Sequence, residues 1–124
     1  MNQDLSSVPT AQLLIVYGSL APGRENHHIV ANIKGTWYPA TVRGKLVQLG
    51  WGAAIGYSAF VPVSPSEANG IQAWVLHAED LPAHWHRLDE FEGEQYVRIA
   101  VPFTLSNGSS GIGFLYALST QPPT

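Results

Sequence analysis

The stretch Ile71-Gln72-Ala73-Trp74-Val75-Leu76-His77-Ala78-Glu79-Asp80-Leu81-Pro82-Ala83-His84-Trp85-His86-Arg87-Leu88-Asp89-Glu90-Phe91-Glu92-Gly93 carries two periods in succession. Up to His77, the residues Ile71, Ala73 and Val75 alternate with Gln72, Trp74 and Leu76, a pattern that fits a strand covered on both faces. From Asp80 the chain starts a helix on which Leu81, Trp85 and Leu88 recur at +4 and +3, the spacing of one apolar face. That face requires burial. A strand covered on both sides, followed by a helix with a single apolar stripe, predicts an α+β domain.

Working outward, residues 1–12 are polar and contain Pro9, so they read as a flexible lead-in to a first strand over 13–17. Pro22 and Gly23 mark a turn, and residues 25–33, with Asn26 as cap, can make two turns of helix. Residues 41–49 and 58–63 are strand-like, separated by a glycine-rich loop over 50–56, and Pro62 suggests an edge or a bulge. Two final strands, 96–105 and 111–118, flank the Asn107-Gly108 turn of a hairpin, and 119–124 form a frayed tail. The sum is one α+β domain over 13–118, with about six strands and two or so helices, its sheet curling toward a barrel.

Composition agrees. The chain has 124 residues, an ordinary size for one domain, with 45% hydrophobic but only 12% charged residues. Twelve glycines and nine prolines favour turns and short strands over a long helical bundle. A net charge of −3, with six Lys and Arg scattered singly, supplies no cationic stripe for nucleic acid. The absence of cysteine excludes a thiol nucleophile, a disulfide framework and a Cys-ligated metal. The apolar run at 13–16 is far too short to span a membrane, and the acidic rather than basic lead-in predicts an unprocessed, cytoplasmic chain.

Glu92 is the first candidate for chemistry. At about 100° per residue it falls roughly 40° from Leu88, inside the apolar stripe, whereas Asp89 and Glu90 point sideways and outward. Gly93 is a natural helix terminator, which places Glu92 at the negative end of the helix dipole, where ionisation is disfavoured and the carboxylate is a better base. Two readings fit this spacing. Either Glu92 is aimed inward as a general base, or the helix frays one residue early and Glu92 turns to solvent or pairs with Arg98. The second candidate is Tyr17-Gly18-Ser19-Leu20, where a strand ends in small residues that let backbone N–H groups approach a carboxylate or an oxyanion; the same pattern also makes an ordinary turn. Ser19 lacks the flanking glycines of a hydrolase elbow. His84 and His86, two apart on a helix, diverge and cannot share a metal ion, so no metal site is expected.

Taken together, Tyr17-Gly18-Ser19-Leu20 after the first strand and Leu88-Asp89-Glu90-Phe91-Glu92-Gly93 followed by Tyr96-Val97-Arg98 resemble the γ-glutamyl cyclotransferase-like family. Pro22-Gly23-Arg24 with Asn26-His27, Val42-Arg43-Gly44-Lys45-Leu46 and the late Tyr116 extend the resemblance over residues 13–118. It implies a small mixed β-barrel with outer helices. It further implies a cofactor-free reaction in which the α-amine of a γ-glutamyl group attacks its own side-chain carbonyl, closing 5-oxoproline and releasing an amine. Glu92 would be the general acid/base, Tyr17, Gly18, Ser19 and Leu20 the binding loop, and Tyr96 and Tyr116 the pocket lining, with Arg98 structural. The chain departs from the family pattern at Gly70-Ile71-Gln72-Ala73-Trp74, commonly a Gly-Glu pair, and in the bulky loop with Trp51, which bears on substrate identity more than on fold. Two other classes stay in view: a barrel that binds a small acyl or amino-acid ligand without turnover, and a structural protein that forms a homo-oligomer through exposed apolar surface.

Overall fold

The computed structural model describes residues 5, 7–17, 30–47, 59–64, 66–92 and 96–118. Within them lie six strands, β1 (Leu13–Val16), β2 (Thr36–Val47), β3 (Ala59–Val61), β4 (Asn69–His77), β5 (Tyr96–Leu105) and β6 (Ser110–Leu118), and one α-helix, α1 (Trp85–Glu92). Short 3-10 turns cover Thr10–Gln12 and Leu81–Ala83. The six strands form one mixed sheet whose pairings return on themselves, from β1 to β4, β2, β5, β6 and back to β1. All are antiparallel except β1 with β6 and the bridge between Phe60 of β3 and Ala117 of β6. No helix among the described residues is long and apolar enough to cross a membrane.

Two apolar layers result. The inner one gathers Leu13, Ile15, Val42, Val75, Phe103 and Leu115, enclosed by the ring of strands. The outer one lies under α1 and holds Leu14, Val16, Leu76, Leu81, Trp85 and Leu88. Successive residues of a strand face opposite sides. The unbroken Leu-Leu-Ile-Val of β1 therefore feeds both layers, and all four residues are buried. β4 does the same, with Val75 inward and Leu76 outward, as its alternation predicts.

Three expectations change. β2 begins at Thr36, five residues ahead of the expected start, and its first residues pair with β4 from Thr36↔His77 onward. Pro39, which has no backbone donor, disguises that start in the sequence and is accommodated opposite Trp74. The helix expected from Asp80 opens instead as a 3-10 turn, with Ala83 N donating to Asp80 O (3.0 Å) and His84 N to Leu81 O (2.8 Å). Pro82 disfavours the α conformation of Leu81 before it, and the α-helical pattern starts only with Leu88 N to His84 O (3.0 Å). The lead-in is partly tied down: Leu5 is buried in the inner layer, and Ala78 N donates to Gln12 O at 3.0 Å. Of the first expected helix, residues 25–29 lie outside the described residues, and Val30 to Ile33 form a turn closed by Ile33 N to Val30 O at 3.0 Å. The loop over 50–56 and the tail over 119–124 also lie outside them.

Candidate functional site

The strand register gathers several chain ends at one end of the sheet. Val47 pairs with Ala59, Phe60 with Ala117, and Tyr96 with Leu118, so the last residues of β2 and β6 meet the first of β3 and β5. β1 arrives beside them, because Leu14 and Ile15 run parallel to Phe114 and Leu115. Tyr17, the residue after β1, fixes the junction: its hydroxyl donates to Tyr116 O (2.7 Å) and accepts from Phe60 N (2.8 Å). A phenol has one proton. That of Tyr17 is committed to the main chain of β6, and its ring packs against the inner layer, tilted on Phe60.

α1 ends a short stretch of chain before β5 begins. Glu92 is its last residue, and four Cα steps of about 3.8 Å separate it from Tyr96, so the two Cα atoms are at most about 15 Å apart. The expected stripe is borne out, since Leu81, Trp85 and Leu88 are all buried in the outer layer. Gly18, Ser19 and Leu20 lie outside the described residues.

Beside the last turn of α1, Asp89, Arg98 and Tyr116 meet. The Asp89 carboxylate accepts from Arg98 Nε (3.0 Å) and Nη2 (3.2 Å), a two-pronged pairing, and its Oδ1 also accepts from the Tyr116 hydroxyl at 2.5 Å. Arg98 and Tyr116 stand opposite one another in the β5–β6 ladder, so one carboxylate reaches both strands at once. The Arg98 guanidinium lies 4.5 Å from the Trp85 ring centroid and 4.8 Å from that of Phe114, an arrangement that suits its flat, weakly hydrated cation. Trp85 in turn donates Nε1–H to Ala11 O at 2.8 Å. An open groove of about 470 Å³ runs along this cluster, lined by Asp89, Tyr96, Val97, Arg98, Phe114 and Tyr116.

Of the residues expected at a site, Tyr96 and Tyr116 come together on this groove, while Tyr17 lies on the inner face and is linked to Tyr116 through its carbonyl. Arg98 pairs with Asp89, in keeping with the structural role given to it. Asp89 itself was not singled out, being read as pointing sideways. The signal was present. Asp89 follows Trp85 by four residues, about 40° around the helix, the same offset that relates Glu92 to Leu88. Among the described residues no group of three His, Cys, Asp or Glu side chains is placed to hold a metal ion. His84 and His86 instead lie near Asp80 and Glu90, at 3.6 and 3.0 Å.

Comparison with known proteins adds an independent line. Residues 14–123 match the family model described as gamma-glutamyl cyclotransferase, AIG2-like. No curated protein matches the chain by sequence. Among solved structures, YkqA from Bacillus subtilis is 28% identical over 87% of this chain, with a TM-score of 0.64, and this chain spans 36% of that protein's length. An AIG2-like protein from Mus musculus is 20% identical, with 90% of this chain and 80% of that one covered and a TM-score of 0.68. The At5g39720.1 protein of Arabidopsis thaliana is 22% identical over 94% of this chain and 76% of its own, with a TM-score of 0.65. The mouse and plant likenesses are likenesses of fold.

Proposed function

The chain belongs to the AIG2-like gamma-glutamyl cyclotransferase family, and from that premise we propose that it converts a γ-glutamyl amine or amide into 5-oxoproline and a free amine. In this reaction the α-amino nitrogen of the glutamyl group attacks the γ-carbonyl carbon. A C–N bond forms within the substrate, the original amide C–N bond breaks, and the proton lost by the attacking nitrogen passes to the leaving one. Since nucleophile and electrophile belong to one molecule, holding them in a near-attack geometry supplies several kcal/mol of the barrier reduction, and one proton carrier completes the catalytic set.

Glu92 takes the role of that carrier. The loop from Tyr17 through Gly18, Ser19 and Leu20 holds the glutamyl carboxylate or the developing oxyanion with backbone N–H groups, and Tyr96 and Tyr116 line the approach. The observation that supports this reading is the run of hydrogen bonds through Tyr116, which joins Tyr17 at the exit of β1 to Asp89 in the helix that ends at Glu92. The leaving amine is open among glutathione-like, dipeptide and isopeptide substrates. Incubation with a panel of γ-glutamyl amines, assayed for 5-oxoproline, tests the proposal. Release that falls about a hundredfold or more in Glu92→Gln supports it. Full activity of that variant overturns the role of Glu92, and binding without product by the wild type would make the protein a ligand-binding member of the family.

A further inference from the structure

We infer that Asp89, Arg98 and Tyr116 are positioning residues, a clamp that sets the end of α1, and with it Glu92, against the root of the loop that begins at Tyr17. The inference rests on the reading of Glu92 as proton carrier for its catalytic consequence, although the clamp itself is a statement about structure.

α1 has eight residues, too few to be stable in isolation, so tertiary ties must fix its position. Its first turn is tied deeply, by Trp85 and Leu88 in the outer layer and by the Trp85 bond to Ala11. Past Leu88 the described ties are the half-buried Phe91 ring and the Asp89 carboxylate. Asp89 precedes Glu92 by three residues, less than one helical turn. The bonds then continue without a break: Asp89 accepts from the Tyr116 hydroxyl, Tyr116 O accepts from the Tyr17 hydroxyl, and Tyr17 accepts from Phe60 N. Tyr116 thus uses its side chain outside the sheet and its carbonyl on the side of Tyr17. A displacement of the helix end is therefore opposed from both halves of the site. The side chains of Arg98 and Asp89 remain 27% and 43% exposed, and an ion pair at that exposure contributes little to global stability. Its two-pronged geometry, stacking and third bond from tyrosine instead define a direction, which is what positioning requires.

The test compares wild type, Tyr116→Phe and Arg98→Lys, each with Glu92 present and with Glu92→Gln, well below their unfolding temperatures. Tyr116→Phe deletes one hydroxyl, and Arg98→Lys keeps the charge while losing the fork, so one of them remains usable if the other folds poorly. Clamp residues acting through Glu92 lower kcat about tenfold to a hundredfold, since small misplacements carry that cost. Arg98→Lys leaves KM within about threefold, and neither change produces a further loss on the Glu92→Gln background. A rise in KM alone in Arg98→Lys, or an equal loss on both backgrounds in either variant, overturns the assignment. Hydrogen exchange at residues 88–92 is read in parallel, and Tyr116→Phe is expected to speed it about tenfold, the scale of one hydrogen bond to a charged group. Unchanged exchange overturns the clamp whatever the activity. If the wild type releases no 5-oxoproline from any substrate, the functional reading falls while the exchange result still decides the clamp.

Discussion

Gly44 shows how a single residue is held to its identity by packing. A Cβ built on it would stand 2.3 Å from Cε2 and 2.4 Å from Cζ of Phe60, and Phe60 is 1% exposed, so the ring has nowhere to retreat. Overpacking of this kind costs about 1–3 kcal/mol, and Gly44→Ala is expected to lower the urea midpoint accordingly. Val97→Ala, at a position 45% exposed, should stay within about 0.5 kcal/mol. Equal stability of the two variants would contradict the packing seen around Phe60. Trp85 is held by polarity as well as volume, since its indole N–H satisfies Ala11 O and its ring lies under Arg98. Trp85→Phe keeps most of the apolar contact and loses the donor. A loss of about 1–3 kcal/mol in the same denaturation experiment is expected from the lost donor together with the smaller ring.

At the scale of elements, the β5–β6 hairpin depends on its turn chemistry. Asn107 Oδ1 accepts from Ser109 N (2.9 Å) and Ser109 Oγ (2.7 Å), and Gly108 sits at φ +90° with open space where a Cβ would be. The cost of Gly108→Ala is then conformational alone, about 1 kcal/mol, and Gly108→Asn should recover part of it because asparagine tolerates positive φ. A thermal melt that ranks alanine above asparagine would refute that assignment. This turn, the buried run of β1, the two-faced β4 and the stripe on α1 were all legible in the sequence, because each is fixed by residues close together in the chain. The early start of β2 and the late start of α1 were not: Pro39 looks like a break until its partner strand is seen, and Pro82 looks like an ordinary first-turn helix residue although the chain there forms a 3-10 turn. Of the candidate site, the helix ending on Glu92 could be read from Gly93 after it, and Tyr96 and Tyr116 could be named from the family resemblance. The meeting of Asp89 with Arg98 and Tyr116 required the register that sets Arg98 opposite Tyr116, and no local pattern encodes it.

The whole molecule is a ring, and β1 is the strand that closes it. Leu14 pairs with Leu76 on one side and with Phe114 on the other, joining residues a hundred positions apart in the chain. Contacts so distant in sequence form at a high entropic cost and make folding slow relative to a helical bundle of the same size. Once formed, they leave β1 with no free edge at its centre and with side chains buried in both layers, so its amides have no local route to solvent. The end of α1 differs, being two helical turns from its start and fixed past Leu88 chiefly by half-exposed groups. Native-state hydrogen exchange at increasing urea should therefore place Ile15 and Val16 in the class that exchanges only through global unfolding, with the full denaturant slope. Residues 89–92 should exchange through a smaller, nearly urea-independent opening. The distinction bears on the proposed clamp, because the bonds from Tyr17 through Tyr116 to Asp89 would then tie a more yielding helix end to a rigid ring. Were the β1 amides to exchange in the same low-energy class as those of α1, the ring would open at the β1–β6 seam, and Tyr17 would be no fixed anchor for the bonds that reach Asp89.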